Sequence, residues 1–140
     1  MRRVALVGVV AAGVALVPGT AGATPPSGVT GTILAQTTVG GRDVILREIT
    51  VAPGGSTGWH FHDGTLYALM KTGTLTHSNS SCVTDGTFGQ GAAFVEPSGP
   101  HHVHIGRNLG TTPLVLEVLY VDPAGSPLSE DAANPGCDFQ

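Results

Sequence analysis

Glycine and proline punctuate this 140-residue chain so densely, at 21 and 10 positions, that beyond the first two dozen residues no stretch sustains a helical period with capping signals. The runs between them are short and rich in Val, Ile, Thr and Leu. Such runs suit strands, because branched side chains pack on a pleated surface while glycine and proline end a ladder. The expected strands are Val29 to Val39, Arg42 to Val51 after the Gly40-Gly41 turn, a segment around His60 to His62, Thr65 to Met70 after the Asp63-Gly64 turn, Thr74 to Ser78, Gly91 to Pro97, and Pro113 to Pro123. Residues 78 to 90 are polar and read as surface loops around a short pairing near Cys82 to Thr84, with His77 at their edge facing solvent. Many short strands separated by turns indicate an all-β sandwich or barrel.

The beginning of the chain has a different character. Arg2 and Arg3 precede an apolar run from Val4 to Val17, then Pro18 and the small-residue sequence Ala21-Gly22-Ala23. That order is the pattern of a secretory signal peptide cleaved after Ala23. An uncleaved anchor is the competing reading, but the run is shorter than the roughly 18 residues that usually span a bilayer, and Gly8 and Gly13 weaken it. The expected organisation is a leader at 1–23, a flexible lead-in at 24–28, one barrel domain at 29–121 and a coiled tail at 122–140. Loss of Arg2 and Arg3 takes the formal charge from −4 to −6. No basic footprint or helix-turn-helix segment for nucleic acid exists. In an oxidising compartment Cys82 and Cys137 are expected to pair, pinning the tail and stabilising the fold by about 4 kcal/mol; a cysteine acting as a metal ligand is the alternative.

Chemistry concentrates in the histidines. His60 and His62 share a face if their segment is extended, about 7 Å apart along the chain, and two neutral imidazoles aimed together suit a metal. A second cluster, His101, His102 and His104, follows the strand that ends at Pro97. His102 and His104 share a face if extended, with His101 pointing away.

These residues resemble the cupins, whose double-stranded β-helix, or jelly-roll, barrels carry two motifs. Gly54, His60, His62 and Gly73 match the first, G-x5-H-x-H-x3,4-E-x6-G, and Gly91, Pro97, Gly99 and His102 match the second, G-x5-P-x-G-x2-H-x3-N, through its histidine. Two motifs in order are far more specific than either alone. The resemblance implies that His60, His62 and one of His102 or His104 converge in the barrel. His102 fits the proline side of the second motif; His104 fits its asparagine, since Asn108 follows it by four. The glutamate of the first motif is replaced by Leu66.

Three imidazoles suit Zn, Cu, Ni or Fe, and without the glutamate a hard ion such as Mn is less favoured. A barrel without metal is the alternative. Leu66, Ala68 and Met70, with few charges nearby, read as an apolar pocket, and Glu117, lying in an otherwise apolar strand, is either a replacement carboxylate on that pocket or a solvated strand residue. Glu96 is expected to face solvent and Asp63 to serve its turn. Apolar residues on both faces, including Trp59, Phe61, Tyr67 and Leu69, need a second cover: the N-terminal strand or another copy in a homodimer. The function classes left are a secreted metal-dependent enzyme, of which an oxygenase or isomerase is an example, and a non-catalytic module binding a small molecule or metal.

Overall fold

The computed structural model describes residues 22–140, so the leader expected at 1–23 lies almost wholly outside the described residues. Ten strands follow: β1 (Ser27–Val39), β2 (Arg42–Ser56), β3 (His60–Phe61), β4 (Thr65–Thr72), β5 (Thr74–Asn79), β6 (Thr84–Gly89), β7 (Ala93–Glu96), β8 (His104–Arg107), β9 (Leu114–Pro123) and β10 (Glu130–Asp131). All pairings are antiparallel. The sheet runs β10-β3-β8-β2-β9-β4-β7, with β1 along β2 and β5 joining β8 to β6, and it curls into the double-stranded β-helix barrel.

Strand alternation decides what enters the barrel. Along β9, Leu114, Leu116, Val118, Tyr120 and Asp122 are buried while their neighbours are only half covered, and along β4 the inward set is Leu66, Ala68 and Met70. With Val51 and Leu75 these apolar side chains form one cluster. The Val, Leu and Met side chains among them are each worth about 1.5–3 kcal/mol when fully buried.

Two glycines hold turns no other residue could. Gly73, last of the first motif, has φ +73°, and a Cβ there would lie 2.7 Å from Leu114 Cβ. Gly58, at φ +70°, would press a Cβ within 2.1 Å of the Thr24 carbonyl oxygen. Asn108 staples the loop before β9: its Nδ2 donates to the carbonyls of Val51 (2.9 Å) and Thr112 (2.8 Å), and its Oδ1 accepts from Gly110 N (3.0 Å).

Several expectations are corrected. The polar stretch 78–90 is largely a hairpin, β5–β6, because Thr74 to Ser78 finds partners in Thr84 to Gly89. Thr24 is buried: its Oγ1 donates to the Ala132 carbonyl and accepts from Trp59 N. The tail contributes β10, which pairs with β3 beside His60. The expected disulfide is present: Cys82 and Cys137 are bonded across 55 residues. Trp59, 0 % exposed, is covered by the tail, whose Phe139 stacks on it at 5.9 Å. The N-terminal strand pairs with β2 and leaves Tyr67 and Leu69 exposed.

Candidate metal centre

His60 on β3 stands directly opposite His104 on β8, and His62 follows His60 by two, so all three imidazoles enter the barrel from one region. Their ring centroids lie 4.4 Å (His60–His104), 4.7 Å (His60–His62) and 5.2 Å (His62–His104) apart. Each Nδ1 donates to a backbone carbonyl: His60 to Gly58 (2.9 Å), His62 to Leu128 (2.8 Å) and His104 to His102 (2.8 Å). A carbonyl can only accept, so Nδ1 carries the proton and Nε2 is left as a lone pair or second donor turned inward. The Nε2 atoms of His62 and His104 are buried without a hydrogen-bond partner. One ligand atom from each of the three histidines can be chosen so that all lie within 4.8 Å. This is how proteins orient imidazoles towards an ion, with the outer nitrogen tied to a carbonyl.

The ambiguity in the second cluster resolves towards His104. Residues 101–103 precede β8 rather than extending it, so the shared face expected for His102 and His104 does not form. His102 is half buried, lies outside the three-imidazole group with its ring 5.1 Å from that of His104, and supplies the carbonyl that holds His104. His101 is exposed.

Two residues assigned to solvent turn inward instead. Glu96 pairs with Leu66 across β4–β7, and directly opposed residues share a face. Since Leu66 is buried, Glu96 faces the barrel; its Oε2 lies 3.0 Å from His62 Nε2 and 3.3 Å from His104 Nε2, within ion-pair distance of both. His77 is 6 % exposed. Its Nδ1 pairs with Asp85 Oδ1 at 2.5 Å, its ring stacks on His104 at 4.9 Å, and its Nε2 is 3.8 Å from Glu96 Oε1. A sequence signal for His77 existed: it lies two residues after inward-facing Leu75 on the same strand. For Glu96 none did without the register. His77, Glu96 and His104 form a second group of ligand type, but it shares His104 with the first.

Burial and charge set the protonation pattern. Burial, reinforced by the neighbouring His104 and His62, pushes His60 down to about 3, so it is neutral over the physiological range. Burial works against ionisation of Glu96, yet the imidazoles of His104 and His62 hold its carboxyl well below the ordinary range. Burial likewise opposes a charge on His104, but Glu96 raises it above the usual value. Burial pushes the Tyr120 hydroxyl up to about 12, leaving it a neutral group beside the histidines.

The cavity at these groups is about 50 Å³ and is walled by Leu66, Ala68, Leu116, Val118 and Tyr120. A wider mouth of about 240 Å³ adjoins His60 and His62, where Arg47, Thr57 and Ser129 supply polar groups. Met70 belongs to the packed core and does not line this cavity. Glu117, whose place in an all-apolar run hid its phase, pairs outside with Lys71 at 3.2 Å.

A bound cation fits this donor set. Three imidazoles have tied outer nitrogens, and the inner nitrogens of two of them, His62 and His104, are buried without a hydrogen-bond partner, a geometry compatible with a metal ion.

No family model matches the chain. No curated protein matches it either. Solved structures do. The polyketide cyclase RemF from Streptomyces resistomycificus is 22 % identical, with TM-score 0.63 over 80 % of this chain and 79 % of that one. A cupin-2 domain protein from Rhodospirillum rubrum is 17 % identical, with TM-score 0.60 over 76 % and 66 %. A cupin domain from Bordetella pertussis Tohama I is 24 % identical, with TM-score 0.53 over 72 % and 99 %. The chain has the cupin fold.

Proposed function

We propose that the protein is an extracytoplasmic metal-binding cupin in which His60, His62 and His104 hold one transition-metal ion and a small molecule enters from the mouth to meet it. The observation that carries this reading is the convergence of three imidazoles whose outer nitrogens are committed to carbonyls and two of whose inner nitrogens are buried without partners. When bound, the ion supplies Lewis acidity and open coordination positions. The chain's own residues do the rest. The apolar wall of Leu66, Ala68, Leu116 and Val118 limits the inner chamber to a few atoms and excludes bulk water, while Arg47 and Tyr120 at the mouth supply donors to orient the remainder of a ligand. Such a chamber suits metal-dependent catalysis on a small molecule, oxygen chemistry and isomerisation among the options; a binding module without turnover is the alternative.

The signal-peptide pattern and the Cys82–Cys137 bridge support export, and no helix among the described residues is long and apolar enough to cross a membrane. The exposed pair Tyr67 and Val95, opposed on β4–β7, with Leu69 beside them, supports pairing with a second copy.

Elemental analysis tests the metal reading. Protein purified without a histidine tag, then exposed separately to Zn, Cu, Ni, Mn and anaerobic Fe(II) and desalted, is expected to retain one equivalent of at least one of them. Retention of none at stoichiometric level would refute the proposal.

A further inference from the structure

We infer that Glu96 is a fourth ligand of the ion held by His60, His62 and His104, supplied from the strand beside the one that carries the first motif. The inference rests on the metal reading above and specifies its coordination. The position at which the motif places its glutamate is Leu66, on β4, and Leu66 is the direct cross-strand partner of Glu96 on β7. Opposed residues of an antiparallel ladder project side by side from the same face, about 5 Å apart, within the reach of a glutamate side chain. A carboxylate lost from one strand is thus replaced from its neighbour without moving the histidines.

Three further observations support this. Glu96 Oε2 lies 3.0 and 3.3 Å from the Nε2 atoms of His62 and His104, so one carboxylate oxygen reaches the inner nitrogens of two of the three histidines. Those nitrogens have no close polar partner besides this carboxylate, and a carboxylate with only 13 % of its side chain exposed is stabilised by positive charge held among them. The second oxygen, Oε1, is turned towards His77 Nε2 at 3.8 Å, and His77 is itself fixed by Asp85. Asp85 and His77 thus place an imidazole nitrogen behind the carboxylate, at ion-pair rather than hydrogen-bond distance. The grouping of His77, Glu96 and His104 would have to draw on His104, which the His60–His62 pair also needs. With a carboxylate in the set, harder ions such as Mn(II) become acceptable alongside Fe, Ni and Zn.

The test is anaerobic titration of the full tag-free protein with Co(II) against a competing chelator, read by its visible d–d bands, in wild type, Glu96→Gln and Leu66→Glu/Glu96→Gln. Thermal unfolding of each metal-free form checks that it folds. Glutamine keeps the size of the side chain but not its charge, so Glu96→Gln is expected to bind Co(II) at least ~100-fold more weakly, beyond the 10–100-fold typical of an outer support, with altered bands. The double variant returns a carboxylate to the opposed position and is expected to recover at least tenfold of that loss. Equal affinity and unchanged bands in Glu96→Gln would overturn the inference while leaving the three-histidine site intact. Weaker binding with unchanged bands would also overturn it, since Glu96 would then act only by orienting the histidines. No Co(II) binding by wild type would remove both this inference and the function it rests on.

Discussion

Alanine at His104 is expected to abolish stoichiometric metal binding, whereas alanine at His102 should change affinity no more than a few-fold. Both histidines fit part of the second motif, so the pair separates sequence pattern from geometry. His104 stands opposite His60 in the ladder and brings an inner nitrogen to the cluster; His102 lies outside that group and contributes its backbone carbonyl, which alanine retains. Removing an outer-sphere partner typically costs 10–100-fold in affinity, so losing a direct ligand should cost more than ~100-fold. Competition titration with a chromophoric chelator gives both numbers. Comparable losses at the two positions, or a greater loss at His102, would show that the third nitrogen is misassigned.

Acid should destabilise the metal-free protein steeply. His60 is held neutral by burial and by its histidine neighbours, its pKa lowered from 6.5 to about 3. Below 6.5 the unfolded chain takes up a proton at this position that the folded chain refuses, so stability falls with falling pH, by about 3 kcal/mol between pH 6.5 and 4 at 1.36 kcal/mol per unit. Glu96 acts in the same direction at lower pH: its folded value is depressed, so its contribution is present above the ordinary carboxylate range and lost as pH falls towards the folded value. His104 acts oppositely. Its pKa is raised, so its contribution is complete below the ordinary histidine value and is lost as pH rises through the folded value. Together they place the stability maximum of the metal-free form near pH 6.5. Urea unfolding at half-unit steps from pH 4 to 8 measures this, and His60→Gln should flatten the limb between 6.5 and 4. A wild-type profile already flat across that limb would contradict the burial of a neutral His60.

What the sequence revealed and what it concealed divide along a physical line. Features set by local spacing were legible: His60 and His62 two apart on an extended segment, Gly73 at the end of the first motif, and the glycine and proline breaks that exclude helices. Features set by pairing between distant strands were not. Glu96 could be turned inward only by knowing that it opposes Leu66, and nothing in the residues around it states that register. Glu117 misled for a related reason. Its strand is apolar at nearly every position, so alternation does not show which face is inward, and the structure puts Leu116 and Val118 inside and Glu117 on Lys71. His77 was closer to being found, because Leu75 two residues earlier fixes its phase; its place in a polar stretch concealed that the stretch is a hairpin. The choice between His102 and His104 turned on where β8 begins, and strand ends are the boundaries sequence patterns define least well.

The metal centre itself is tested most directly by X-ray absorption at the metal edge of the loaded protein. The account predicts one ion per chain with three imidazole nitrogens at about 2.0–2.1 Å for Zn, together with an oxygen shell that includes a carboxylate. A spectrum with fewer than two imidazoles, or with oxygen scatterers alone, would contradict a site built on His60, His62 and His104.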